Sequence, residues 1–62
     1  MMNMNELSNL LIHYGRKITD LSFKEECANE VYHVRIRTFA YNGKIFWHQM
    51  VNGDVTECFE LK

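Results

Sequence analysis

VYHVRIRTFAYNGKIFWHQMVNGDVTECFEL, residues 31–61, is the stretch whose reading decides the fold. Asn42-Gly43 and Asn52-Gly53 each stand between runs rich in β-branched and aromatic residues. Both central residues of a type I′ turn need positive φ, which Asn tolerates and Gly adopts freely. Asn-Gly between such runs therefore signals a two-residue hairpin. Two hairpins in succession predict a three-stranded antiparallel meander with strands Val31–Tyr41, Lys44–Val51 and Asp54–Leu61.

Two-residue turns fix the register by counting. Tyr41 is expected opposite Lys44, Phe39 opposite Phe46, Arg37 opposite His48 and Arg35 opposite Met50. In the second hairpin Met50 should face Val55, His48 should face Glu57, Phe46 should face Phe59 and Lys44 should face Leu61. All of these share one side of the sheet. The other side collects Val34, Ile36, Ala40, Ile45, Trp47 and Val51, with Thr56, Cys58 and Glu60 from the last strand. A bulge would exchange faces beyond the point where it occurs.

Working outward, Leu7, Leu10, Leu11, Tyr14 and Ile18 recur at helical spacing. The spacing predicts a helix from about Asn5 to Tyr14, fraying on through Ile18. Asn3 or Asn5 is placed to cap it, with Glu6 at the positive end of its dipole. Gly15 suits a left-handed position that ends the helix, or an interior site at about 1 kcal/mol cost. In the segment Thr19–Glu30, Ser22 and Glu25 have capping-box spacing. A short second helix over Phe23–Asn29 is expected there, or an ordered loop of the same length. The fold class is α+β: one domain over residues 1–62, with an N-terminal helix packed on a three-stranded antiparallel meander.

One amphipathic helix covers one face of a small sheet. The β-branched face has few charges, so Trp47 is expected beneath the helix with Leu10, Leu11, Val34 and Ile36. The opposite face would then expose a row, Phe39–Phe46–Phe59, edged by Tyr41, Met50, Arg35 and Arg37. These seven residues form the expected binding face, because an uncovered apolar strip usually takes a partner, a ligand or a second subunit.

Size sharpens that expectation. The chain has 62 residues. A domain of that length buries only about 60% of its unfolded surface, and its core supplies roughly 3–5 kcal/mol. Self-association, most simply as a homodimer, is the expected staple. The formal net charge is −1, which gives no general drive toward nucleic acid or anionic lipid. No apolar run has the length to span a bilayer, so no membrane partner is expected. The N-terminus lacks a basic region and a continuous apolar segment. Cys27 and Cys58 accordingly read as reduced thiols of a cytoplasmic protein rather than as a disulfide.

The sequence carries no Gly-rich phosphate loop, HExxH, CxxC or EF-hand pattern. His13, His33 and His48 have no metal spacing with another ligand type, so neither metal nor cofactor is expected. In the counted register Cys58 lies on the face away from His48, which leaves a Cys-His dyad without support. Glu25 and Glu26 are adjacent and point in different directions on a helix, so they make no carboxylate pair. These absences speak against an enzyme. The expected role is non-catalytic protein binding, as a small adaptor, inhibitor or regulatory protein. The alternative is single-stranded nucleic-acid binding by the same face, with phenylalanines stacking bases and Arg35, Arg37 and Lys44 meeting phosphates. Glu57 in the middle of that patch weighs toward a protein partner.

Overall fold

The computed structural model describes residues 2–62. Helix α1 (Met4–Tyr14) precedes strands β1 (Arg16–Cys27), β2 (Glu30–Tyr41), β3 (Lys44–Val51) and β4 (Asp54–Leu61). The strands form one antiparallel sheet in the order β1-β2-β3-β4. The fold is α+β with a meander, as expected, but it has four strands rather than three and no second helix.

The caps of α1 are local. Asn3 Oδ1 accepts the backbone N–H of Glu6 at 2.8 Å, and Glu6 Oε1 accepts from Asn3 Nδ2 at 3.1 Å. One otherwise orphaned backbone N–H at the helix start is thereby satisfied, and the Glu6 carboxylate holds the capping amide in place. Gly15 ends the helix in an extended conformation, φ −75° and ψ 154°, not in the left-handed one. Its N–H donates to Leu11 O at 2.8 Å. A Cβ at Gly15 would sit 2.6 Å from that same carbonyl oxygen, so close approach is what requires glycine here. The helix does not run on to Ile18, because Arg16 already opens β1.

The segment expected as helix or loop is β1. Thr19, Leu21 and Phe23 alternate with Asp20, Ser22 and Lys24, and each pairs with a residue of β2 from Thr38 to His33. The strand closes through Ala28 and Asn29, both at positive φ (52° and 65°), so a two-residue turn joins Cys27 to Glu30. The turns at Asn42-Gly43 and Asn52-Gly53 also have positive φ at both positions, as their sequence requires. Asn52 also extends the β2–β3 pairing: its N–H donates to His33 O at 2.8 Å and its Oδ1 accepts from His33 N at 2.9 Å.

The β2–β3 register follows the count from Tyr41↔Lys44 to Arg35↔Met50. The β3–β4 register begins as counted, with Met50↔Val55, and then shifts between Gln49 and Met50. Thr56 is the extra residue. Its hydroxyl donates to Gln49 O at 3.4 Å and accepts from Gln49 Nε2 at 3.2 Å. Beyond it Trp47 pairs with Phe59, His48 with Cys58 and Phe46 with Glu60. The bulge thus moves Phe59 to the Trp47 side and Cys58 to the His48 side.

The helix lies on the face opposite to the one expected. It packs on β4 and, less extensively, on β2. Leu11, Phe39 and Phe46 form the buried cluster, with Leu7, Tyr41 and Cys58 packed against it. Trp47 is not beneath the helix, and Tyr14 is exposed. The β-branched face is the open one.

Candidate functional site: an open apolar sheet face and a sealed polar cluster

Two arrangements on the sheet carry chemistry, one on each side. The helix side holds a sealed polar cluster. His48 is fully buried and Ser8 nearly so. Ser8 Oγ lies 2.6 Å from His48 Nε2, and Arg37 Nη2 lies 3.5 Å from His48 Nδ1. A guanidinium can only donate, so Nδ1 is the acceptor. The cation beside Nδ1 favours the neutral tautomer with its proton on Nε2, toward Ser8. Burial, with Arg37 and Arg35 nearby, pushes the imidazole pKa down, which favours that neutral ring.

This wiring is the reverse of a nucleophile–base pair. A base that activates serine must present an unprotonated nitrogen to the hydroxyl and have its other nitrogen held by an acceptor. Here a cation, Arg37, sits at Nδ1 where a carboxylate belongs. Cys58, expected on the other side of the sheet, is instead the cross-strand partner of His48. Burial raises its thiol pKa while it lowers that of His48, so the pair favours a neutral thiol and a neutral ring over an ion pair.

Arg37 is itself half-buried. Its guanidinium lies 5.4 Å from the Phe39 ring centroid, and Nη2 donates to Met50 Sδ at 3.3 Å. Its Nε is sealed from solvent without a partner. Arg35 is committed to Asp20, with Nε and Nη2 at 3.0 and 2.8 Å from the two carboxylate oxygens. Lys17 adds a third contact at 2.8 Å. Arg35 foremost, and Lys17, hold the Asp20 carboxyl well below the usual carboxylate range.

The expected row Phe39–Phe46–Phe59 is therefore not an exposed surface. Phe39 and Phe46 are 4% and 8% exposed beneath the helix, and Phe59 stands on the opposite side. Of the other residues assigned to that face, Arg35 is exposed but tied to Asp20, and Arg37, Met50 and Tyr41 are partly buried around the core.

The open side shows what replaces it. Trp47 and Phe59 stack there with ring centroids 6.2 Å apart and an interplanar angle of 22°. Thr19, Thr38, Trp47 and Phe59 form one cross-strand row, and the two threonine hydroxyls share a 2.6 Å hydrogen bond. The next row begins with Leu21 and Ile36, and the one after it with Phe23, Val34 and Val51. Leu21, Phe23, Ile45, Phe59 and Leu61 are each at least 40% exposed. Phe59 was in the expected set, but Trp47, Leu21 and Phe23 were not. The alternation of Leu21 and Phe23 with Asp20, Ser22 and Lys24 is the sequence signal for β1. The bulge that pairs Trp47 with Phe59 leaves no such signal.

Two shallow recesses complete the surface. One, about 430 Å³, is formed by the β1–β2 turn around Ala28 and Asn29. The other, about 230 Å³, lies beside Ser22, His33, Arg35 and Met50. Neither includes Ser8, His48 or Cys58. Among the described residues no group of His, Cys, Asp and Glu is placed to hold a metal ion. No helix of the described residues is long and apolar enough to cross a membrane. Comparison of the chain with protein-family models, with curated proteins and with solved structures finds no match.

Proposed function

We propose that this chain is a non-catalytic protein-binding module whose working surface is the open sheet face centred on Trp47, Phe59, Leu21 and Ile36. The observation that carries the reading is the stack of half-buried Trp47 on exposed Phe59, within a largely apolar sheet face that the chain's own helix leaves bare. Scattered exposed apolar side chains are ordinary, but a contiguous face of them is the usual mark of an interaction surface. Trp, Phe and Tyr are also the residues that dominate interface energetics. The wiring of Ser8 and His48 supports the non-catalytic half of the reading. Their hydrogen bond joins the helix to the sheet, and Arg37 rather than a carboxylate stands at the far nitrogen of the ring.

Single-stranded nucleic acid is the competing occupant, since Trp47 and Phe59 offer π-faces to bases. The arginines that reading named, Arg35 and Arg37, are on the helix side, one paired with Asp20 and one packed on Phe39, and Arg16 at the rim of the open face is outnumbered there by Glu25, Asp54 and Glu57. The test captures partners from the native host with wild-type and Phe59→Glu baits, alongside titration with single-stranded DNA and RNA at low salt. Loss of a captured protein on Phe59→Glu, with no nucleic-acid binding, is the expected result. A partner set that Phe59→Glu leaves intact overturns the assigned face. Nucleic-acid binding that falls steeply with salt transfers the face to the competing reading.

A further inference from the structure

We infer that the open face is covered by a second copy of this chain, the two sheets stacking face to face with their helices outside. The inference rests on the reading of that face as the working surface and names its occupant. Three observations support it.

The first is that the single chain is not a closed globule. It exposes 4699 Å², whereas a compact monomer of its mass of 7.4 kDa would expose about 4,200 Å². Its radius of gyration is 12.4 Å, against roughly 11 Å for a compact chain of this length. The excess comes with an elongated shape, 41 × 23 × 22 Å, and with a β1 strand exposed along its whole length.

The second is that the buried set is small. Leu11, Val34, Phe39 and Phe46 are the buried apolar side chains. Val34 stands apart from the other three, on the open face between Phe23 and Val51. The open side thus already holds the start of a second core, with nothing of its own chain above it.

The third is area and charge. Strands of 12, 12, 8 and 8 residues, spaced about 4.8 Å apart with a rise of about 3.3 Å per residue, give the face a plan area of roughly 600 Å². Corrugation by side chains raises its accessible area toward the roughly 800 Å² per partner of a standard stable interface. The centre of the face, Thr19, Leu21, Ile36, Thr38, Trp47 and Phe59, carries no charge. Arg16, Glu25, Asp54 and Glu57 of that face stand on the two outer strands, so a two-fold axis can set the uncharged centre on itself with these at the rim. Two such faces stacked about 10 Å apart make a sandwich whose interior is filled from both sheets.

The test is sedimentation of the full chain from micromolar to millimolar concentration, with Trp47 emission read on the same samples. The expected wild type is a dimer at high concentration whose Trp47 emission moves to the red on dilution. Phe59→Glu and Leu21→Lys should raise the dissociation constant by roughly 30-fold or more, because each leaves a charge buried and unpaired. Leu21 is 58% exposed on an edge strand, so its variant folds even where Phe59→Glu does not. A wild-type monomer throughout the range overturns the second copy as occupant and leaves the face to a foreign partner. A dimer unmoved by both variants, with Trp47 emission independent of dilution, overturns both the stacked geometry and the face itself.

Discussion

The two faces of this sheet invert a familiar expectation. The covered face carries His48, Arg37 and Arg35 among its phenylalanines, while the uncovered face carries Ile36, Trp47, Leu21 and Phe59. Apolar density did not choose which side the helix took. A single residue, Gly15, joins the end of α1 to the start of β1, so the helix must fold back over the end of the sheet where Arg16 meets Ala40. On the side it occupies, Leu11 meets Phe39 and Phe46, and Ser8 meets His48. The helix thus supplies a partner for the one buried imidazole, which an uncovered face would not need. The lesson is that the face with the buried polar groups takes its cover from its own chain, and that the β-branched face stays open.

The strongest way to break that contrast is to empty the covered side. Leu11 is fully buried. Leu→Ala at such a site costs about 2–5 kcal/mol, comparable with the roughly 3–5 kcal/mol that a core of this size supplies. Leu11→Ala should leave the chain largely without cooperative structure at room temperature. Phe59→Ala, on the open side and 43% exposed, should cost no more than about 1 kcal/mol at concentrations where the chain is monomeric. Denaturant midpoints read by far-UV circular dichroism check both. Equal losses at Leu11 and Phe59 would mean that the two faces are not energetically distinct.

The polar contact on the covered side comes next. Removing the acceptor for His48 Nε2–H leaves a buried donor unpaired, at about 1–3 kcal/mol. Ser8→Ala should show that loss, and adding His48→Leu should recover part of it, since the unpaired imidazole N–H is then gone. A double-mutant cycle measures the coupling. A cycle with no coupling would show that the 2.6 Å contact contributes nothing to holding helix to sheet.

Titration perturbs the same pair more gently. The His48 pKa is depressed, first by burial and then by the Arg37 and Arg35 charges. A depressed folded-state pKa means that the unfolded chain binds more protons in the window between the two values. Stability is then fully present above the unfolded value of about 6.5 and declines as pH falls from there toward the folded value. The charged and titratable groups around the ring are Arg37 and Arg35 on β2 and Cys58 on β4, with the Ser8 hydroxyl on α1. Between pH 7 and 5 the thermal midpoint of wild type should fall, and His48→Leu should flatten that slope. A slope unchanged in His48→Leu would assign it to other groups.

Much of this was legible, and the failures have physical causes. Asn-Gly announced both later hairpins, and the β2–β3 register follows from counting alone. Helix α1 was readable from its leucines, and its cap from Asn3 or Asn5, of which the structure uses Asn3. The β1 strand was hidden because Ser22-Phe23-Lys24-Glu25 imitates a helix start, and because Ala28-Asn29 is a turn without glycine. The face assignment failed at one residue. Thr56 bulges, and everything beyond it on β4 changes side, so Phe59 leaves the phenylalanine row and joins Trp47. A bulge of that kind depends on how the sheet twists against its neighbours, which no local pattern encodes. The side chosen by the helix was equally nonlocal, since both faces are apolar enough to accept it.

The smallest expected effect concerns the wing that extends the open face. Ala28 holds φ 52° in the β1–β2 turn. The left-handed region costs a residue with a Cβ roughly 1–2 kcal/mol. Glycine escapes that cost but gives back about 0.4–1 kcal/mol through the freedom it adds to the unfolded chain. Ala28→Gly should therefore stabilise the protein by about 0.5–1 kcal/mol, seen as a raised denaturant midpoint at unchanged slope. The gain should also appear locally. Every residue of β1 is exposed, so opening the hairpin uncovers little buried surface, and amide exchange along Arg16–Cys27 should slow in the variant before exchange in β3 does. Uniform slowing across the sheet would instead mean that β1 opens only with the whole fold. In that case the wing is as firmly held as the helix-covered side, and the contrast between the two faces is one of chemistry alone.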